Sequence, residues 1–494
     1  MMKNRLPAFS AVFLGAVVAA GLMGCVSGRV PENPSTPWNP PLTAQSPDMI
    51  WQDVRARRSG WTNRLSLAAA LDVALANNPT TRALWHEARA ASAQVDQARG
   101  NFLPTIVGSA GVSRQRTETQ PETFFRDSLR YGPGLQLNYL VINFGGGHSA
   151  AVQQALQTVY AANYRFNRAI QEVLRDVASA YYGMISATAA VTAAEATLSD
   201  ARAAWEAARA RQSSGVGTEL DVLLAQAGYD QARYDLVNYR GLLKIAQAVL
   251  ARALGLPADA NLEVVMPTDD VPAAVAPQDM RQLIDQALAR RPDMAALRAK
   301  LSAKRAAERV AGAVLWPSLY LAGNVSRNYY DTETAKEFFL TQDSDWSYGA
   351  GLTLQWTLFD GLQDLSARRA AAAQADAIRE ELLQAELAAS AEVWSNYYTY
   401  ETALERHAVS AAYLKSAAKA HDLALASYRN GLSSITELLN AESALAQARA
   451  RQITARQDAF TALVNLALAT GCLEKGSAAE QQAVFLTPTG KDQP

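Results

Sequence analysis

The sequence predicts a mainly α-helical chain with membrane-spanning β-strands, built from two structural repeats. Three observations lead to this prediction: strands with one apolar and one polar face, long helical segments without proline, and the same order of elements in both halves. Each half supplies two strands, so one copy supplies four. Four strands cannot close a water-filled membrane barrel, and lipid does not tolerate open strand edges. We therefore expect three copies to share one barrel of twelve strands, four from each.

The clearest strand is the stretch from Trp346 to Phe359, WSYGAGLTLQWTLF. Its apolar face begins at Trp346 and ends at Trp356, where the aromatic girdle of a membrane barrel lies, and its other face carries Ser, Gly, Thr and Gln. A half-buried strand of a soluble protein has the same alternation, so this stretch alone does not separate the two. The apolar face consists of Trp346, Tyr348, Ala350, Leu352, Leu354 and Trp356.

Residues 1–24 are predicted to be a secretory signal peptide, because Lys3 and Arg5 precede an apolar run too short to span a membrane. The residues Leu22-Met23-Gly24-Cys25 resemble a bacterial lipobox, which implies cleavage before Cys25 and acylation of its thiol and new N-terminus. Val26 stands where an inner-membrane retention signal would place Asp, which implies an outer-membrane lipoprotein. The alternative is an ordinary signal peptide followed by a chance cysteine.

The rest of the chain divides into a tether, two repeats, a linker and a tail. The tether and the tail are polar. Three segments of the first repeat match three segments of the second, which shows that the chain is duplicated. The matched pairs are ALANNPTTRAL (74–84) with ALARRPDMAAL (287–297), GLQLNYLVIN (134–143) with GLTLQWTLFD (351–360), and GVGTELDVLLAQAGYDQAR (215–233) with GLSSITELLNAESALAQAR (431–449). The predicted boundaries are 25–64 for an extended tether anchored by the lipid, 65–256 for the first repeat, 257–277 for the linker, 278–472 for the second repeat and 473–494 for the polar C-terminal tail.

Each repeat is predicted to contain helices, a β-hairpin, a long helix, a turn and a returning helix. There is no proline between Pro133 and Pro257, and about 60 residues of helical pattern in that segment give a helix on the order of 90 Å long. The predicted hairpin of the first repeat covers about 105–143, with a polar loop from about Arg114 to Arg130, and that of the second repeat covers about 318–359. The predicted turns between the long and returning helices cover about 212–218 and about 429–435.

The returning helix of the second repeat carries a heptad seam of small and apolar residues, which suits close packing of long helices. A solid coiled-coil rod would explain this seam equally well, but a rod does not need four amphipathic strands. The seam consists of Leu438, Ala441, Leu445, Ala448, Ala455, Ala459, Ala462 and Leu466, with Gln452 as its one polar interruption.

Composition and motifs argue against several classes of function. Charged residues make up 19% of the chain and the formal net charge is -1, so nothing favours nucleic-acid binding. The glycines from Gly145 to Gly147 are not followed by Gly-Lys-Ser/Thr and are interpreted as a strand-to-helix joint. No catalytic constellation is present, so we expect no enzyme activity, no cofactor and no metal site. The four histidines are expected to be scattered over the surface, and they are His86, His148, His407 and His421.

These repeats, strands and lipobox resemble the TolC-like outer membrane efflux protein family, in its lipidated OprM-like branch. The resemblance covers roughly residues 65–472 in duplicate and rests on architecture rather than on one short motif. It implies a homotrimer whose barrel crosses the outer membrane and continues as a long α-helical barrel through the periplasm. It also implies two protein partners, a periplasmic adaptor and an inner-membrane pump.

The same resemblance makes the two helix turns the periplasmic tips. It matches Gly215 and Gly431 to tip glycines and Tyr428 to a tyrosine near the constriction, and it places Asp221, Glu437 and Asn440 where the family often has acids at the closed end. Two departures leave the gate bonding open. Asn440 is uncharged where Asp is common, and Ser433 stands where some members have a basic residue.

The residues themselves allow two interpretations at each tip. Asp221 or Glu437, repeated around a threefold axis, would form an acid ring that attracts cations, or each would only cap the returning helix. The two roles can coexist. Val216 and Leu432, beside the tip glycines, are predicted to contact the adaptor, but they could instead pack within the hairpin.

Three functions follow from these observations. The first is a passive export duct that conducts substrates delivered by an adaptor and an inner-membrane pump, and whose exported substrate the sequence does not identify. The second is a lipid-anchored periplasmic coiled-coil tether, which the strand pairs argue against. The third is an envelope lipoprotein enzyme, which no residue constellation supports.

Overall fold

The computed structural model describes residues 65–119, 124–265, 280–334 and 337–473. The predicted signal peptide, the predicted acylation site at Cys25 and the predicted tether lie outside the described residues, as do most of the predicted linker and all of the tail after Leu473. Within the described ranges the chain forms eight helices and four strands. None of those helices is both long and apolar enough to cross a membrane.

Both halves of the chain contain two shorter helices, two strands, a very long helix and a returning helix. In the first half these are α1 (Leu67–Asn77), α2 (Pro79–Gly100), β1 (Thr105–Thr119), β2 (Phe124–Asn143), α3 (Gly147–Ser213) and α4 (Glu219–Ala253). In the second half they are α5 (Met280–Arg290), α6 (Pro292–Ala313), β3 (Ser318–Thr334), β4 (Glu337–Gln355), α7 (Gln363–Arg429) and α8 (Ile435–Ala469).

The helix boundaries follow from local capping. Asn78 ends α1 and caps α2, accepting a hydrogen bond from the backbone N of Thr80 at 2.8 Å, and Pro79 occupies the first helical position, where no N–H is needed. The long helices α3 and α7 each have 67 residues, and the returning helices α4 and α8 each have 35. At 1.5 Å per residue, 67 residues make a helix about 100 Å long.

The four strands form one antiparallel sheet in the order β1-β2-β3-β4, so the two hairpins pair with each other through β2 and β3. This leaves one edge of β1 and one edge of β4 without a partner in the described chain. The apolar residues at the end of β4 point away from the rest of the protomer, and Tyr348, Leu352 and Leu354 are all exposed. The sheet therefore ends in two open edges and carries an uncovered apolar face.

Two predicted strand boundaries are wrong. Residues Arg114 to Arg130 were expected to include only a polar loop, but β1 continues to Thr119 and β2 already begins at Phe124. The strands have 15 to 20 residues, whereas about 10 cross a bilayer, so the polar outer ends continue to pair beyond the expected lipid zone. There Arg114 and Asp127 form a cross-strand ion pair at 2.8 Å.

The second wrong boundary lies at the end of β4. The strand was expected to reach Phe359 but ends at Gln355. The indole Nε1 of Trp356 donates a hydrogen bond to the backbone O of Leu315 at 3.1 Å, and the chain then turns into α7 through Gly361 and Leu362, both in the left-handed region. The last four residues of the predicted strand therefore belong to the joint between sheet and helix.

The returning helix α8 lies between α3 and α7, and its predicted seam is buried with one exception. Ala441 is only half-buried, whereas the neighbouring Glu442 is buried. Because α8 contacts two helices instead of one, its buried face is wider than the seam of a two-stranded coiled coil. The buried seam residues are Leu438, Leu445, Ala448, Ala455, Ala459, Ala462 and Leu466.

Candidate functional site

The candidate site consists of the tips of two helical hairpins, called hairpin 1 (α3 and α4) and hairpin 2 (α7 and α8). Both long helices end in a Schellman motif, in which a backbone N–H beyond the helix donates to a carbonyl five residues earlier. Val216 donates to the Arg211 carbonyl at 3.1 Å and Leu432 donates to the Ser427 carbonyl at 2.8 Å. Each motif needs one left-handed residue.

That left-handed residue is Gly215 in hairpin 1, with φ of 77°, and Gly431 in hairpin 2, with φ of 76°. A glycine adopts this conformation without the steric cost that a Cβ brings. The two tips predicted from the repeat therefore have the same backbone, although their side chains differ.

A capping box begins each returning helix. In hairpin 1 the backbone N of Asp221 donates to Thr218 Oγ1 at 3.1 Å, and the Thr218 backbone N donates to Asp221 Oδ2 at 3.3 Å. In hairpin 2 the Glu437 backbone N donates to Ser434 Oγ at 3.3 Å, and the Ser434 backbone N donates to Glu437 Oε2 at 3.1 Å. Both predicted acids thus cap their helices, and the capping fixes each carboxylate in the first helical turn.

The two apolar residues of the turns are exposed. Val216 is 68% exposed and Leu432 is 82% exposed. In many Schellman motifs this position packs back against the preceding helix, which would bury it. Neither residue does so within the described protomer, which argues against the alternative that they simply pack within their hairpins.

Tyr428 is the buried centre of the tip region and is only 1% exposed. It packs in a cluster that joins the two hairpins, with Ala204 and Ala208 from α3 and Ile435 and Leu438 from α8. Its hydroxyl has no hydrogen-bond partner among the described residues. Burial raises the pKa of Tyr428.

The nearby Asp221 carboxylate raises the pKa of Tyr428 further, and Arg211 opposes both effects. The structure thus brings Asp221 of hairpin 1 close to Tyr428 of hairpin 2. By contrast, the side chains of Glu437 and Asn440 are exposed on the first turns of α8.

Arg211 is a tip residue that the sequence interpretation missed. Its Nη1 donates a hydrogen bond to the backbone O of Tyr428, and its guanidinium Cζ lies 4.6 Å from the centroid of the Tyr428 ring. The signal in the sequence was a basic residue in the last turn of α3, which alone predicts only an interaction with its own helix end. Ser433, which stands where some family members have a basic residue, donates to the Ala424 carbonyl of its own hairpin at 3.5 Å.

A buried carboxyl lies above the tip in hairpin 2. Glu442 on α8 is buried, and its Oε2 has no hydrogen-bond partner in the part of the chain that the structure describes. Burial, and to a lesser extent the Asp200 carboxylate of α3, raise the pKa of Glu442 to about 7. Asp200 itself accepts a hydrogen bond from Arg449 at 2.8 Å.

The part of the chain that the structure describes contains no group of three or more His, Cys, Asp or Glu side chains that could hold a metal ion. The expectation that all four histidines lie on the surface is wrong for His421, which is buried in α7. The tips instead offer carboxylates fixed by caps, exposed apolar side chains and a buried aromatic contact between hairpins. Such a set can restrict or bind a passing or docking molecule, but it has no group arranged for bond-breaking chemistry.

Comparison with known proteins identifies relatives across both repeats. The outer membrane efflux protein family matches residues 70–256 and 283–472. Protein CyaE of Bordetella pertussis is 31% identical over 417 residues, which cover 84% of this chain and 85% of that protein. The toluene efflux pump outer membrane protein TtgC of Pseudomonas putida is 26% identical over 494 residues, covering 96% of this chain and 98% of that protein.

The fold has a close counterpart among solved structures. The outer-membrane channel OprN superposes with a TM-score of 0.72 at 22% sequence identity, over 85% of this chain and 91% of that chain. At this level of identity the similarity concerns the fold alone.

Proposed function

The chain belongs to the outer membrane efflux protein family, and from this we propose that it is the outer membrane channel of a tripartite export system. It conducts substrates passively from a periplasmic adaptor and an inner-membrane pump to the exterior. The observation that carries the proposal is the four-stranded sheet with two open edges, joined to helical hairpins about 100 Å long. A non-conducting tether would need the hairpins but not the sheet.

We infer that the working unit is a homotrimer. Open strand edges are not tolerated in lipid, so β1 of one copy pairs with β4 of the next until the barrel closes. Four strands from each of three copies give twelve, enough to surround a water-filled lumen.

The helices support the same closure. Along α4 a stripe of large apolar side chains faces away from α3. All residues of α8 are described, and none of its large apolar side chains is exposed. Exposed apolar surface of this extent marks an interaction site, and a second copy covers it in our proposal. The exposed large apolar side chains of α4 are those of Leu220, Leu223, Leu224, Tyr234, Val237, Leu242, Ile245 and Val249.

Membrane attachment is proposed to have a second component. The lipobox-like sequence that ends at Cys25 supports cleavage there and acylation of the new N-terminal cysteine. The acyl chains would anchor the tether in the outer membrane, beside the barrel, while the hairpins extend into the periplasm. The substrate is left to the pump, and the relative TtgC is named for toluene efflux.

At the tips, Asp221, Glu437 and Asn440 are proposed to line the periplasmic gate, and the fourth predicted gate residue, Tyr428, is buried behind them. Three copies of each cap carboxylate around a narrow axis would concentrate cations and repel anions. The exposed Val216 and Leu432, presented by the turns at Gly215 and Gly431, are proposed to contact the adaptor.

Conductance in a planar bilayer tests this function. The purified full-length protein is expected to give small, cation-selective openings. Replacing Asp221 and Glu437 together by Ala is expected to raise conductance and weaken cation preference, whereas Glu87→Ala, on the exposed face of α2, leaves both unchanged. Unchanged conductance and selectivity in the double variant would reduce the two acids to helix caps. If neither the native protein nor the double variant carries current, the proposed duct is wrong.

A further inference from the structure

We infer that Arg211 is a positioning residue that holds the tips of hairpins 1 and 2 together in the closed channel and acts through Tyr428. The inference rests on the proposed function for its consequence, which is control of opening. The contact itself can be tested without any current.

One side chain of hairpin 1 contacts the end of α7 in two ways. The Nη1 of Arg211 donates to the Tyr428 carbonyl, and its guanidinium lies over the Tyr428 ring at 4.6 Å. A Cβ at Gly431 would lie 3.9 Å from Nη2, so the guanidinium also reaches the turn of hairpin 2. Arg211 therefore contacts the last residue but one of α7, and its guanidinium lies beside the turn that follows.

The electrostatics favour a cation at this place. The last carbonyls of a helix carry partial negative charge, and a positive side chain there is stabilising. Because Tyr428 is buried, water weakens the interaction less than it would at an exposed helix end. The planar guanidinium can stack on the ring and donate at the same time, which a lysine ammonium cannot do in the same geometry.

The contact has no equivalent between the corresponding residues of the two repeats. In the repeat alignment Arg211 corresponds to Ser427, and Tyr428 corresponds to Gln212, so the second repeat has no equivalent pair. Among the described residues, the next polar contact between the hairpins joins Arg449 to Asp200 and Thr197. Asp200 is eleven residues before Arg211 on α3, or about 16 Å along the helix. Arg211 thus makes the polar contact nearest the tips.

The contact is also incompletely satisfied. The Nε of Arg211 and the hydroxyl of Tyr428 are buried, and neither has a hydrogen-bond partner within the described ranges. Buried polar groups without partners raise the free energy of the state that contains them. The closed tip is therefore held by a charge-assisted bond but is less stable than a fully bonded tip, as expected of a contact that must break when the channel opens.

The direct test is the distance between the hairpins in the full-length protein. Spin labels are attached at Gln212 of hairpin 1 and Ala426 of hairpin 2, both exposed, in a background with Cys472→Ser, and distances are measured by pulsed electron resonance. Arg211→Ala and Arg211→Gln are expected to lengthen and broaden the shortest distance population, and Arg211→Lys is expected to do so less. The matched control is Arg209→Ala, because Arg209 lies over Trp205 of its own helix at 5.2 Å and is expected to leave the distances unchanged.

The same variants are then compared in bilayers. Arg211→Ala removes the charged donor and is expected to raise the ratio of open to closed channels about tenfold. The Arg209→Ala control is expected to have the same ratio as the protein with both arginines. Distances unchanged in both Arg211→Ala and Arg211→Gln, in trimers of normal mass, would overturn the inference even if the parent conducts. Separated hairpins without current in any variant would support the contact and contradict the proposed duct.

Discussion

Hairpins 1 and 2 have the same helix lengths, the same left-handed glycines and the same capping boxes, yet their side chains make different contacts. The helix α8 is covered on both sides by α3 and α7, whereas α4 packs mainly on α3 and leaves an apolar stripe uncovered. Backbone requirements kept the turns alike in the two repeats. The side chains diverged because one returning helix packs inside the protomer and the other faces outward.

The difference is visible at equivalent positions near the tips. Leu224 of α4 is exposed, and its counterpart in α8 is the polar Asn440. Glu442 is buried in α8, and its counterpart Gln226 is exposed in α4. The repeat therefore predicts where each residue lies along its helix but not which side is covered.

The largest expected effect comes from placing a charge on the uncovered stripe of α4. Val237 is 66% exposed in the protomer, and Val237→Asp would bury an unpaired carboxylate in each interface of the trimer. We expect sedimentation to show loss of the trimer. Gln226→Asp adds the same charge at a position of α4 that is already polar; it provides the matched control and is expected to stay trimeric. A trimeric Val237→Asp protein would mean that this stripe is not the covered face.

The second effect concerns the buried Glu442, whose pKa is raised from 4.5 to about 7 by burial and by Asp200. A carboxyl whose pKa is raised in the folded state binds more protons there than in the unfolded state. Its contribution to the free energy of unfolding is therefore full below pH 4.5 and is lost as the pH rises to about 7. The full shift corresponds to about 3 kcal/mol. Thermal unfolding between pH 5 and pH 8 is expected to show this loss in the native protein and a flatter profile in Glu442→Gln.

Hairpin 1 supplies the control for that experiment. Gln226→Glu places the same carboxyl at the equivalent but exposed position, where no additional pH dependence is expected. Equal pH profiles for the native protein and Glu442→Gln would show that the buried carboxyl does not control this part of the stability.

The smallest effect tests what the two hairpins share. Gly215→Ala and Gly431→Ala each place a Cβ on a left-handed residue, at a cost of about 1 kcal/mol. A Cβ at Gly215 has no neighbour within 4 Å, and one at Gly431 meets only Arg211 Nη2 at 3.9 Å, an ordinary van der Waals distance. The two losses measured by thermal unfolding are therefore expected to be equal. A much larger loss for Gly431→Ala would show that the two turns differ in more than their side chains.

The sequence predicted the features that depend on local pattern. The alternation of β4, the turn glycines and the caps all follow from residues close together in the chain. The outer ends of β1 and β2 were missed because both faces are polar where strands extend beyond the lipid, so the alternation disappears while the pairing continues. Arg114 and Asp127 pair across these ends.

Other features depend on contacts that no local pattern reports. Arg211 and Tyr428 are 217 residues apart, and their contact depends on how the two repeats pack. The burial of Glu442 in place of Ala441 depends on α8 having two neighbours, whereas a heptad pattern assumes one.

The central claim is that the open edges of β1 and β4 are closed by other copies of the same chain. The most direct measurement is the mass of the detergent-extracted full-length protein by native mass spectrometry. The account predicts a particle of three chains. A stable particle of one chain would contradict the shared barrel, because its four-stranded sheet would keep two open edges.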